Sequence, residues 1–83
     1  MMHLISFCEL YFDGVAVKYK LYGYPSGDRY HFKPEATISI YPTYIVSRLE
    51  RQWTVETKAP LHIQKQLVEQ IQLSRKQRGP ALL

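Results

Sequence analysis

The chain has a single cysteine, Cys8, so no internal disulfide is possible and the fold must rest on packing alone. No stretch approaches the roughly 20 consecutive apolar residues that a membrane-spanning helix needs. The first residues, MMHLISFCELYF, lack a positive leading segment, are interrupted by Glu9, and lead to no small-residue cleavage site, so they do not read as a signal peptide. A cytoplasmic protein with no membrane partner is expected. Glycine is scarce, with four in the chain, and the one glycine-bearing loop, YGYPSGD, lacks the Gly-Lys-Ser/Thr of a phosphate loop and does not run into a helix. His3, His31 and His62 are far apart and share no ligand spacing with cysteine or carboxylate, so neither a metal nor a cofactor is expected. No Ser/His/Asp or Cys/His set can be assembled with a role for each member. Lys18, Lys20, His31, Arg48 and Arg51 could bind phosphate and move protons on a sheet, as in small basic ribonucleases, but none has a forced role. A non-catalytic chain is expected.

What the chain does have is apolar and aromatic content: 83 residues, 46% hydrophobic and 13% aromatic, with seven tyrosines. That composition folds rather than staying disordered, although a domain this small has a thin core. The formal net charge is +4, but its location matters. Arg75, Lys76 and Arg78 fall in the last nine residues, where no acid occurs, whereas residues 1–74 carry eight basic and seven acidic side chains. The body is close to neutral, which weakens the case that basicity makes for a nucleic-acid partner.

Leu4 to Phe12 alternates as a strand, with Leu4, Cys8, Leu10 and Phe12 on one parity and Glu9 and Tyr11 on the other. In this apolar setting Cys8 is expected to be a buried small hydrophobe. Asp13-Gly14 follows, and a second alternating run begins at once. That dipeptide predicts a two-residue hairpin, because a type I′ turn needs positive φ at both central positions. In the second run, VAVKYKLYGY, Val15, Val17, Tyr19 and Leu21 share one face, and Lys18, Lys20 and Tyr22 share the other. A third strand is expected from Arg29 toward Ile40, interrupted in some way by Pro34, which cannot donate to a ladder. Residues 44–56 are ambiguous. Ile45, Leu49 and Trp53 suit a helix, but β-formers at both ends favour one fourth strand. Ile63, Leu67 and Ile71, with Val68 beside them, form a helical stripe that Pro60 can open and Gly79-Pro80 can stop.

The expected fold is α+β: a small antiparallel meander of three to four strands with a C-terminal amphipathic helix on one face, residues 1–78, followed by a short flexible tail, residues 79–83. This plan resembles, in architecture alone, the arm-type DNA-binding domains of phage integrases; no motif residue corresponds, so no site is carried over.

Tyr19 and Tyr30 are expected to close the rim of the core, with Tyr11, Tyr22 and Tyr24 more exposed. The face opposite the helix is expected to hold Lys18 and Lys20, joined by Lys33 and Arg48 and by the acids Glu9 and Glu50. Mixed signs suit an ordinary solvated face or a protein interface, whereas a phosphate-binding surface usually has fewer acids. The sequence therefore points to a small binding protein, of the kind phages and other mobile elements often encode, that acts as a regulator or inhibitor through a protein partner. Lys18, Lys20, Tyr22 and Tyr24 are the expected binding residues, with Tyr11, Arg48, Arg75, Lys76 and Arg78 as auxiliaries. Nucleic-acid binding through the same strand and the basic tail is the alternative, and a homodimer formed at a sheet edge is the third reading.

Overall fold

A computed structural model describes residues 1–78, with side chains as far as Lys76. The expected tail, residues 79–83, and the side chain of Arg78 lie outside the described residues. Five strands, β1 (His3–Phe12), β2 (Val15–Gly23), β3 (Arg29–Pro34), β4 (Tyr44–Leu49) and β5 (Gln52–Val55), precede one helix, α1 (Leu61–Arg78). The strands pair antiparallel in chain order, so the sheet is a pure meander with β1 and β5 at its edges.

The first hairpin is the expected one. Asp13 and Gly14 take φ of 50° and 85°, and Phe12 pairs with Val15 across them. The expected count of three to four strands is corrected to five, because residues 44–56 form two strands instead of one. Glu50 and Arg51 turn the chain between them with φ of 51° and 69°, the same left-handed pair of conformations that Asp-Gly supplies in the first hairpin. Neither residue type signals such a turn, which is why the sequence reads as continuous. The third strand also differs: it ends at Pro34, the residue without an N–H, rather than reaching Ile40. Ile38 and Ile40 stand in the following loop, each 92% exposed.

Pro60 opens the helix, its carbonyl accepting from the N–H groups of Ile63 and Gln64. The stripe Ile63, Leu67 and Ile71 then packs on the sheet face that bears Leu10, Tyr19, Leu21, Tyr30, Phe32, Tyr44 and Val46. All ten are buried. Burying a side chain such as Leu67 is worth about 1.5–3 kcal/mol, so the three helix residues supply a large part of the stability open to a chain of this size. Of the valines expected under the helix, Val17 is half-buried and packs on the core, whereas Val15 lies at the hairpin end and is exposed.

Tyr19 and Tyr30 are not at the rim but inside, and the structure provides for their hydroxyls. Tyr19 donates to the carbonyl of Pro42 at 2.8 Å, and Tyr30 accepts from Arg75 at 3.2 Å. Burial, helped by the neighbouring Tyr44, pushes the Tyr19 phenol well above its ordinary pKa. Gly23 is needed for a close approach: a Cβ there would meet the Ile5 side chain and come within 3.2 Å of the Tyr30 ring. A bulge between Leu4 and Ser6 brings Ile5 in to pack against the core there.

Both edges of the sheet are modified. β5 is four residues long. On β1, Gln66 of the helix acts as a mock strand: its amide oxygen accepts from the N–H of Tyr11 at 2.7 Å and its amide nitrogen donates to the Tyr11 carbonyl at 2.9 Å. Together with the bulge at Ile5, this leaves little regular free edge for another strand to join.

Candidate binding face

The helix covers one face of the sheet and leaves the other open. Strand parity and register place side chains on that open face in rows. Phe7, Lys20 and Lys33 lie across β1, β2 and β3. Leu4, Tyr22, His31 and Ile45 form the next row, crossing into β4. Tyr11 and Ala16 lie toward the first hairpin, and Arg29, Ser47 and Thr54 toward the opposite end.

Of the four residues expected to bind, Lys18, Lys20 and Tyr22 lie on this face as their spacing implied. Lys18 is exposed, while Lys20 and Tyr22 are half-buried by their neighbours. Tyr24 continues the parity of Tyr22 into the turn after β2, where its carbonyl accepts from the Gly27 N–H at 2.9 Å and its ring lies 6.0 Å from that of His31. Tyr11 is 50% exposed on the same face, its hydroxyl 3.3 Å from the Glu9 carboxylate.

The remaining auxiliaries sit elsewhere. Arg48 has the parity of Tyr44 and Val46, which places it on the helix side of the sheet with its guanidinium 5.2 Å from the centre of the Trp53 ring. Arg75 also lies over Trp53, at 5.9 Å, and donates to the Gly27 carbonyl at 3.3 Å as well as to Tyr30. It ties the end of the helix to the β2–β3 turn, so the structure gives it an internal partner. Lys76 is exposed near the helix end, away from the open face. Glu50, expected among the face's acids, belongs to the β4–β5 turn.

Three residues join the face that the sequence reading undervalued. Phe7, 62% exposed, shares the parity of Glu9 and Tyr11. Arg29 and His31 share that of Lys33, opposite to the buried Tyr30 and Phe32. Simple alternation in β1 and β3 carries this signal.

The electrostatics are uneven. Arg29 is paired with Glu56 at 3.2 Å, the one ion pair among the described residues. Lys33 lies 5.3 Å from the centre of the Tyr22 ring, a cation–π arrangement. His31 is held below the ordinary imidazole range, first by burial and then by Arg29 and Lys33 on either side of it along β3, with Glu56 opposing. Its Nε2 is shut off from solvent and has no hydrogen-bond partner among the described residues. Cys8 faces the core side, half-buried, and burial pushes its thiol up to about 11, so it is protonated and inert near neutral pH.

Among the described residues no three of His, Cys, Asp and Glu come together as a metal cage, and no helix is long and apolar enough to cross a membrane. No family model matches the chain, and no curated protein or solved structure is significantly similar to it.

Proposed function

We propose that the chain is a small non-catalytic binding protein, a regulator or inhibitor that docks a protein partner on the open face of its sheet. The observation that carries this reading is the composition of that face. Phe7, Tyr11, Tyr22 and Tyr24 are spread along that face of the five-stranded sheet, from the first hairpin to the β2–β3 turn, outside the core and uncovered by the helix. Aromatic side chains of this kind anchor protein interfaces, because a large apolar body is combined with a polar tip at little entropic cost. The charges between them alternate in sign: Glu9, Glu35 and Glu56 stand among Lys18, Lys20, Lys33 and Arg29. A surface that followed a nucleic-acid backbone would repel it at each acid.

The test is affinity capture from a lysate of the source organism, before and after nuclease treatment, with three baits: the wild type, Tyr22→Ala and, on the far side of the molecule, Val68→Ser. Retention of a protein after nuclease, its loss with Tyr22→Ala and its persistence with Val68→Ser are expected. Capture that disappears with nuclease, or that is indifferent to Tyr22, refutes the reading.

A further inference from the structure

The rows of the open face differ in charge. In one row acids flank a base: Glu9 faces Lys18 in register, and on its other side the N–H of Glu35 bonds to the Lys18 carbonyl at 2.9 Å. In the next row Lys20 lies directly opposite Lys33, and the third member is Phe7. Neither lysine has a carboxylate partner among the described residues. Like charges directly opposite on paired strands are destabilising. Here the pair lies on the open face one row from Tyr22, where Lys33 leans over the Tyr22 ring and the adjacent His31 keeps a ring nitrogen without a partner among the described residues. A local rule broken at an exposed position is a mark of a functional site.

We infer that Lys20 and Lys33 together receive a carboxylate of the docked protein, and that Glu9 or Glu35, on the flanks of Lys18 one row away, receives a cation of the same partner. This rests on the protein-docking reading above. Successive rows are two residues apart along each strand, about 7 Å, so the partner presents an acidic and a basic side chain at that separation. Two residues apart on an extended strand give this spacing. A polyanion does not fit: beyond the lysines it meets Glu9 and Glu35 on one side, and on the other the row of Tyr22 and His31, followed by an arginine already paired with Glu56.

The probe is a capped, extended pentapeptide with glutamate and lysine two positions apart. It is titrated into the full chain while backbone amide and lysine Nζ resonances are followed by NMR. Shifts centred on Lys20, Tyr22 and Lys33 are expected. A peptide with glutamine for glutamate should need at least a five-fold higher concentration, and Lys33→Gln should weaken the parent peptide by a similar factor. Lys33 is exposed, so its variant should keep the fold, which an unchanged amide spectrum elsewhere verifies. The inference is overturned if the peptide leaves these resonances unmoved, or if a ten-nucleotide thymidine strand at the same salt shifts them at lower concentration. The first result, with capture still dependent on Tyr22, removes the charge pairing and leaves the docking reading standing. The second removes both.

Discussion

The two tight hairpins of this chain offer a controlled comparison. Both turn through two residues of positive φ, but one uses Asp13-Gly14 and the other Glu50-Arg51. A non-glycine residue held in the left-handed region costs about 1–2 kcal/mol, so the second turn carries strain that the first avoids at its glycine. Arg51, at φ 69°, is exposed and makes no side-chain hydrogen bond or ion pair among the described residues, so replacing it loses neither. Arg51→Gly should recover the strain, less the roughly 0.5–1 kcal/mol of added freedom that glycine gives the unfolded chain. Glu50→Asn should add a few tenths, because asparagine tolerates the left-handed region better than glutamate; the double variant should therefore gain about 1 kcal/mol. For a domain of this size that corresponds to a rise of about 4–8 °C in the melting midpoint. The mirror experiment is Gly14→Ala. Nothing lies within 4 Å of a Cβ built there, so the loss, about 1 kcal/mol, would come from backbone conformation alone. Urea denaturation followed by circular dichroism measures all three, and an unchanged slope would show that the unfolded state is not altered in compactness. A double variant no more stable than the wild type, or a Gly14→Ala variant that loses nothing, would refute the argument that φ governs these turns.

Leu67 is wholly buried between helix and sheet, so Leu67→Ala should cost about 2–5 kcal/mol; an unchanged denaturation midpoint would contradict the packing described. Gln66→Ala should cost about 1–3 kcal/mol through the two hydrogen bonds to Tyr11, and it should also open the β1 edge, so that analytical ultracentrifugation detects concentration-dependent association absent from the wild type. His31 sits below its unfolded value of 6.5, so protons bind the unfolded chain more readily than the native one. Its contribution is therefore complete above that value and is lost as pH falls through it toward the lower native one. Melting midpoints taken from pH 8 to pH 5 should decline less for His31→Gln than for the wild type, and parallel curves would count against the shift.

Much of the architecture was legible in short-range pattern. The Asp-Gly hairpin, the alternation of β2 and the stripe Ile63, Leu67 and Ile71 each follow from a period and a turn type that local sterics enforce, so the α+β class follows from the sequence itself. The same alternation puts Lys18, Lys20 and Tyr22 on one face without reference to any other strand. Three matters were decided only by tertiary structure. The split of residues 44–56 into two strands rests on a turn whose residues carry no local preference for it; the turn returns Trp53 and Val55 to pack against the core, which offsets the strain at Glu50 and Arg51. The roles of Arg48 and Arg75 depend on where Trp53 lies, since a cation beside a distant ring cannot be recognised before the ring is placed. The Lys20–Lys33 opposition is a matter of register between β2 and β3. A shift of one residue would have moved Lys33 to the other face, and the buried Tyr30 and Phe32, which must point under the helix, fix it where it is.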